Sequence, residues 1–145
     1  MRTVSAILSR KGPQVLAIGP DATVLEAIRK MAEYNVGALV VTAQERLVGI
    51  ISERDYARKV ILRGRSSAHT TVREIMTQEV VTAEPDWDIK RCMRIMTDRR
   101  FRHLPVLSQG RLLGLVSMGD VVKAIIDEQT FIIQQLEQYM QVQVH

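Results

Sequence analysis

The chain contains an internal repeat, and this repeat restricts the folds that are open to it. Residues 15–58 align without a gap with residues 80–123, and 13 of the 44 aligned pairs are identical. In this alignment each residue is paired with the one 65 positions later. A second match relates residues 3–9 to residues 71–77 at a shift of 68, so the first copy has three additional residues near Lys11. Such a repeat indicates two copies of one structural unit. Because a unit of about 60 residues buries little surface alone, we expect the copies to pack about a pseudo-twofold axis and to share one core.

Each copy has the pattern of a β-α-β-β-α unit, which predicts an α/β (α+β) fold. Short apolar runs typical of strands are separated by segments with apolar residues at helical spacing. A threonine, Thr3 or Thr71, precedes a short helical turn at the start of each copy, and Thr23 begins a Thr-x-x-Glu capping box. In the first copy the predicted segments are a strand over 15–18, a helix over 23–34, strands over 38–42 and 47–51, and a helix from 52 to about 63.

A polar linker rich in Gly and Ser, Gly64–His69, separates the two copies. The predicted domains are therefore residues 1–66, residues 67–127 and a C-terminal helical extension over 128–145. The extension has apolar residues at helical spacing, and we expect it either to pack back on the module or, as the preferred alternative, to form part of a homodimer contact. Its apolar residues are Phe131, Ile132, Ile133, Leu136, Tyr139, Met140 and Val142.

Composition excludes several classes of function. Aromatic residues make up only 4% of the chain and the net charge is only +4, which disfavours a base-stacking nucleic-acid surface. A single cysteine, Cys92, excludes an intrachain disulfide, and one Cys with three scattered His does not provide an ordinary zinc site. The longest apolar run, 36–41, is too short to cross a membrane, so the expected location is cytoplasmic. The sequence offers no nucleophile–base pair and no P-loop, so we predict a protein that is not an enzyme.

The same short motif ends the hairpin of both copies. Residues 47–55 read Leu-Val-Gly-Ile-Ile-Ser-Glu-Arg-Asp and residues 112–120 read Leu-Leu-Gly-Leu-Val-Ser-Met-Gly-Asp. Together with His103-Leu104-Pro105-Val106, two copies in this order resemble the CBS domain pair, or Bateman module. The resemblance covers about residues 1–127, and the run Ser-Glu-Arg-Asp-Tyr is similar to small stand-alone bacterial members.

The resemblance implies a regulatory module that binds adenosine-containing ligands in two clefts between the copies. AMP is the first expectation, NAD and ATP or ADP are alternatives, and S-adenosylmethionine ranks last. Such a module would sense its ligand in signalling or metabolic regulation, without catalysis, and would act on an effector protein in trans. Two other interpretations stay open. One is a structural homodimer or interaction module without bound nucleotide, and the less favoured one is a nucleic-acid-binding protein.

In this family the Asp of Ser/Thr-x-x-Asp holds the ribose hydroxyls, and Asp55 and Asp120 match that position. Ser52 and Ser117 would lie near the sugar and the phosphate. The chemistry is suitable, because an ionised carboxylate can accept both hydroxyls and the first turn of a helix offers free amides to a phosphate. The same spacing is also close to a capping box, which needs no ligand.

The two copies differ in their basic residues. Arg54 is a candidate phosphate contact, whereas its counterpart is Gly119. Arg102 and His103 match places where the family puts phosphate-facing cations, and their counterparts are Gly37 and Ala38. We therefore expect the two clefts to have unequal affinities.

The adenine is expected to lie against aliphatic residues of extended segments. The family resemblance points to residues 15–18 and 80–83, with Thr82 as a polar contact, and each of these residues also has a simpler interpretation as core. The predicted adenine contacts are Val15, Ile18, Val80, Thr82, Ala38 and Pro105. Lys11-Gly12, near the additional residues, is an alternative phosphate contact, for which a surface loop is the simpler interpretation.

Overall fold

The computed structural model describes residues 2–144, and their side chains as far as Gln141. The helices are α1 (Val4–Lys11), α2 (Val24–Tyr34), α3 (Glu53–Tyr56), α4 (Val72–Ile75), α5 (Ile89–Arg99) and α6 (Met118–Val144). The strands are β1 (Ala17–Ile18), β2 (Ala38–Ala43), β3 (Arg46–Ser52), β4 (His103–Ser108) and β5 (Arg111–Ser117). The side chain of Val142 and all of His145, both in the predicted extension, lie outside the described residues.

Two small sheets confirm the predicted mixed fold. In the first sheet β1 runs parallel to β2, and β2 pairs with β3 as an antiparallel hairpin. The second sheet contains the β4–β5 hairpin. Here the expected strand over 80–83 is reduced to one parallel bridge between Ala83 and Val106. Each hairpin turn has two consecutive residues with positive φ, Gln44-Glu45 and Gln109-Gly110, as a tight two-residue turn requires.

The opening helices of the two copies are exchanged. Helix α1 begins the first copy but contacts the second, and helix α4 begins the second copy but contacts the first. Their backbone hydrogen bonds correspond one to one in the two halves. The amides of Val4 and Ser5 donate to the carbonyls of Trp87 and Pro85 at 2.9 and 2.8 Å, and the amides of Val72 and Arg73 donate to the carbonyls of Ala22 and Pro20, both at 2.8 Å.

The expectation of one shared core is wrong. Among the described residues, most buried apolar side chains form two clusters, and those outside both include Ala38, Val40 and Ile50. Val4 and Ile7 of α1 lie in the cluster of the second copy, and Val72 and Ile75 of α4 lie in that of the first. Each sheet is covered by helices of its own copy and one exchanged helix. The copies are therefore joined by this exchange, and each retains its own core.

Two glycines allow the exchanged segments to lie close to the hairpins. A Cβ at Gly49 would lie 2.8 Å from the carbonyl oxygen of Thr77, and a Cβ at Gly114 would lie 2.6 Å from Cδ2 of Leu8. Gly49 and Gly114 are equivalent in the repeat, and so are Met76 and Leu8, the side chains that approach them. The glycines are needed for close approach of another segment.

Helix starts and ends differ from the prediction in two places. Thr23 forms a capping box, and the amide and hydroxyl of Thr71 donate to the carboxylate of Glu74, but Thr3 makes no side-chain cap hydrogen bond. The first turn of α1 has no acidic residue to complete such a box. The helix that begins after Ser52 changes to a π-helix over Ala57–Ile61 and ends near Leu62, just before Gly64, which has a φ of +65°.

Candidate functional site

Two clefts lie between the copies, and residues of both copies line each of them. The first cleft, around Asp55, has a volume of about 500 Å³. Its lining includes Gly37, Ser52, Arg54, Asp55, Arg58, Thr77, Glu79, Val80, Arg100, Phe101, Arg102 and His103. The second cleft, around Asp120, has a volume of about 440 Å³. Its lining includes Lys11, Val15, Tyr34, Gly37, Ala38, His103, Leu115, Ser117 and Asp120.

Both carboxylate oxygens of Asp55 have hydrogen-bond or ion-pair partners. Its Oδ2 accepts hydrogen bonds from the amide and the hydroxyl of Ser52 at 3.0 and 3.1 Å. Its Oδ1 accepts from the hydroxyl of Thr77 at 3.3 Å and pairs with Nζ of Lys59 at 3.0 Å. Lys59 also donates to the carbonyl of Ile75 at 2.8 Å. Asp55 is buried, and its side chain forms a capping box with Ser52 at the start of α3.

Asp120 has the same position in the second copy and different partners. Its Oδ2 accepts from the amide of Ser117 at 2.9 Å and from Nζ of Lys11 at 2.7 Å. Burial raises the pKa of Asp120, but the hydrogen bonds from Lys11 and the Ser117 amide outweigh burial and lower the pKa below its ordinary value. Asp120 is therefore a carboxylate at neutral pH, and within the described residues its hydrogen bonds reach only Oδ2.

Lys11 was expected in a surface loop, and that expectation is wrong. It is the last residue of α1, because the additional residues of the first copy let this helix continue past the point where α4 ends. Its ammonium donates to Asp120 and to the carbonyl of Leu115, the latter at 2.8 Å. In the first copy the equivalent carbonyl, that of Ile50, accepts the backbone amide of Thr77 at 2.8 Å. At β5 the side-chain ammonium of Lys11 thus takes the place that a backbone amide has at β3.

His103 lies between the two clefts and lines both. A Cβ at Gly37, which also lines both, would lie 3.9 Å from its Nε2. Burial, followed by the positive charge of Lys11, lowers the pKa of His103, although Asp120 acts in the opposite direction. The imidazole is therefore neutral at pH 7, and a phosphate-facing role for His103 stays a prediction.

Most of the predicted contacts lie in one cleft or the other. The first cleft brings together Ser52, Arg54, Asp55, Val80, Arg102 and His103. The second brings together Val15, Ala38, His103, Ser117 and Asp120. Three predicted adenine contacts, Ile18, Thr82 and Pro105, are not among the lining residues. Ile18 packs against the first core cluster, Thr82 is half-buried, and Pro105 is buried where its carbonyl accepts the amide of Ala83.

Several lining residues did not stand out in the sequence. Arg58 and Arg100 line the first cleft, although the sequence predicts only an ordinary helix C-terminus at Arg100. The lining of this cleft holds four arginines against three carboxylates, namely Arg54, Arg58, Arg100 and Arg102 against Glu53, Asp55 and Glu79. The charged lining residues of the second cleft are Lys11 and Asp120. The repeat could have indicated part of this difference, because the residue equivalent to Lys11 at a shift of 68 is Glu79.

The described residues provide no metal site and no membrane span. No group of three or more His, Cys, Asp or Glu side chains in residues 2–144 could hold a metal ion. Cys92 is buried in the second core cluster, as expected. Over the same residues, no helix combines the length and the apolar character that crossing a membrane requires.

Comparison with known proteins gives the same organisation. The family model of the CBS domain matches residues 4–62 and again residues 72–127. The mitochondrial CBS domain-containing protein CBSX3 of Arabidopsis thaliana is 43% identical over 148 residues, which is 96% of this chain and 72% of that protein. A solved structure of a protein with CBS domains from Burkholderia ambifaria MC40-6 has a TM-score of 0.85 at 46% identity and covers 88% of this chain and 96% of its own.

A more distant structure shares the fold. The CBS domain pair of protein MJ0100, solved in complex with 5′-methylthioadenosine and S-adenosyl-L-methionine, has a TM-score of 0.79 at 24% identity. It covers 88% of this chain and 98% of its own. The family model accounts for most of the chain and places one CBS domain on each copy of the repeat. The chain therefore belongs to the CBS-domain family, with its two domains arranged as a pair.

Proposed function

We propose that this protein is a regulatory module that binds an adenine nucleotide in the clefts between its two CBS domains and has no catalytic activity of its own. The observation that carries the proposal is the construction of the clefts. Each has a Ser-x-x-Asp carboxylate in the first turn of a helix and a wall from the other domain. A bound nucleotide would bridge the two domains and favour one relative orientation, which is the differential affinity that any signal requires.

The charges support a ligand with phosphate. Four arginines line the first cleft, and guanidinium groups bind phosphate oxygens well. AMP is the first candidate, and ADP, ATP or NAD would use more of these arginines. S-Adenosylmethionine ranks last because its cationic sulfonium gains nothing from them. MJ0100 holds adenosine compounds on the same fold, but at its low identity that likeness concerns the fold alone.

The C-terminal part of α6 favours a homodimer. Val122, Ile126, Ile133, Leu136 and Met140 are all exposed, with exposed fractions between 40% and 64%. With Gln129 they follow the alternating four- and three-residue spacing of a coiled-coil seam. Residues 129–141 carry one charge, Glu137, so little repulsion opposes pairing of two such helices. We propose a second copy of the chain as the partner of this face.

The output and the location are part of the same proposal. We propose that the ligand-dependent orientation is read by an effector protein in trans. The cytoplasm is the expected location. CBSX3 is named as a mitochondrial protein, so the location of that relative differs from the one proposed here.

A second candidate function is a structural homodimer that holds no nucleotide. One observation favours it. The carboxylate of Asp55 has four partners in the described residues and is 12% exposed, so this aspartate is fully explained as a helix cap. A role as helix cap explains Asp120 less completely, because its Oδ1 makes none of the hydrogen bonds described.

Thermal shift measurements separate these candidates. The protein would be heated with saturating AMP, ADP, ATP, NAD and S-adenosylmethionine, with UMP as the control for ribose and phosphate without adenine. A ligand at 100 times its Kd stabilises a protein by ~2.7 kcal/mol, which for a chain of this size raises the Tm by about 5–10 °C. Stabilisation by an adenine nucleotide but not by UMP supports the sensor. An unchanged Tm with every adenosine compound supports the structural dimer and contradicts the sensor.

A further inference from the structure

We propose that Lys11 makes the second cleft selective for a ligand with a phosphate group over the corresponding nucleoside. This inference rests on the proposed function, since it concerns the ligand of the same cleft. Lys11 is paired with Asp120, and a ligand phosphate would pair with the lysine when the ribose binds the carboxylate.

The geometry puts the ammonium of Lys11 in competition with a ribose. It lies 2.7 Å from Oδ2 of Asp120 and 2.8 Å from the carbonyl oxygen of Leu115. The same Oδ2 accepts the amide of Ser117. A ribose that presents two adjacent hydroxyls to Asp120 would add two donors to a carboxylate whose Oδ2 already accepts from Ser117 and Lys11. Binding of the ribose therefore weakens or breaks the ion pair with Lys11.

The released ammonium then needs another anion. The described lining of the second cleft contains no other positively charged side chain, because His103 is neutral, and no carboxylate besides Asp120. A nucleoside offers no replacement anion, so an ammonium that loses Asp120 keeps only the carbonyl of Leu115 and solvent, to which 41% of the Lys11 side chain is exposed. A nucleotide offers its phosphate, which pairs with the ammonium in a charge-assisted hydrogen bond. Arg2, Arg10 and Lys123 line an adjoining pocket that shares Lys11 and Asp120 with this cleft, so the expected ligand class is a nucleotide, with one phosphate group paired to Lys11.

Lys59 provides a matched comparison within the same molecule. It also bridges an aspartate and a backbone carbonyl, with Nζ 3.0 Å from Oδ1 of Asp55 and 2.8 Å from the carbonyl of Ile75. Lys11 lines its cleft, whereas Lys59 is absent from the lining of the first cleft. Lys59 therefore pairs with Asp55 without lining the first cleft, and its replacement tests the loss of a lysine–aspartate pair without the loss of a cation that lines a cleft.

The test compares the affinities of adenosine and AMP in the full chain, with the wild type, Lys11→Met, Lys11→Arg and Lys59→Met. NMR titration of the amides of Ser117 and Ser52 follows the second and the first cleft separately. We expect the wild type to prefer AMP over adenosine in the second cleft by about tenfold or more, as for one hydrogen bond to a charged group. Lys11→Met should reduce this ratio to near one, Lys11→Arg should restore most of it, and Lys59→Met should leave it unchanged.

Each outcome decides the proposal. A ratio that is unchanged in Lys11→Met, or an equal loss of affinity for both ligands, overturns the role of Lys11 and leaves the proposed function standing. If the wild type binds neither compound in the second cleft, the proposed function of that cleft and the role of Lys11 fail together. The dispersion of the amide spectrum shows whether each variant is folded. If Lys11→Met does not fold, an unchanged ratio in the milder Lys11→Gln contradicts the proposal.

Discussion

Asp55 and Asp120 are equivalent in the repeat, but their surroundings give them different tasks. Asp55 is buried and is bonded to Ser52, Thr77 and Lys59. Asp120 is more exposed and shares its Oδ2 between Ser117 and Lys11. The first carboxylate therefore contributes more to stability, and the second is more available to a ligand.

Replacement of the two aspartates should affect stability unequally. Asp55→Ala removes a helix cap and leaves buried donors without an acceptor, so we expect the free energy of unfolding to fall by about 1–3 kcal/mol. Asp120→Ala removes a more exposed cap and should cost ~1 kcal/mol or less. Urea denaturation of the two variants measures the difference. An equal loss, or a larger loss in Asp120→Ala, would contradict the assignment of the structural role to Asp55.

His103 should make stability depend on pH. Its pKa in the folded protein is lowered by burial and by Lys11, so the unfolded chain binds the proton more readily. The free energy of unfolding should therefore be fully retained above the ordinary histidine pKa of about 6.5 and decrease as pH falls from there toward the lowered value. Asp120, whose pKa is also lowered, acts only in a more acidic range. Denaturation of wild type and His103→Gln between pH 7.5 and 5 checks this, and an identical slope in both would refute it.

At the level of helices and strands, the exchange of α1 and α4 is the feature that builds the clefts. The exchanged helix α1 brings Lys11 to Asp120, and the segment after α4 brings Thr77 to Asp55. The two segments reach equivalent strands, but only α1 continues by an additional turn. The difference between the clefts therefore begins with three residues in a connection rather than with the cleft motif itself.

The close approach of these segments to the hairpins can be tested at the two glycines. In Gly49→Ala the new methyl group would meet the backbone oxygen of Thr77 at 2.8 Å, and in Gly114→Ala it would meet the end of the Leu8 side chain at 2.6 Å. Backbone moves less easily than a side-chain methyl, so we expect Gly49→Ala to cost about 1–3 kcal/mol and Gly114→Ala clearly less. Thermal unfolding of both variants measures this order, and the reverse order would contradict the packing described.

The proposed helix pairing predicts a change of molecular mass. Leu136→Glu places a charge in the seam of α6, whereas Gln135→Glu places the same charge on the same helix outside that seam. We expect the first variant to be monomeric and the second to remain dimeric, because a buried unpaired charge costs far more than an exposed one. Light scattering coupled to size exclusion gives the mass of each. A monomeric wild type would contradict the dimer.

For the whole molecule, the repeat predicted the mixed fold, and most of the contacts that the family resemblance implied lie in one of the two clefts. Ser52 and Asp55, like Ser117 and Asp120, follow a Gly-aliphatic strand, and that local pattern fixes where their side chains lie. The exchange of helices was not predictable in this way, because it depends on how distant segments close over the sheets. Lys11 was missed for the same reason, and the neutral state of His103 depends on burial that spacing alone does not reveal.

We propose that the two related clefts of this molecule bind an adenine nucleotide with unequal affinity. Calorimetric titration of the full chain with AMP tests this claim most directly. The predicted result is binding at two sites per chain with Kd values that differ by about tenfold or more. In Asp120→Ala we expect one of these two sites to be lost. If AMP gives no binding heat and displaces no other ligand at any concentration up to the millimolar range, and the protein is shown to be folded, the claim is contradicted.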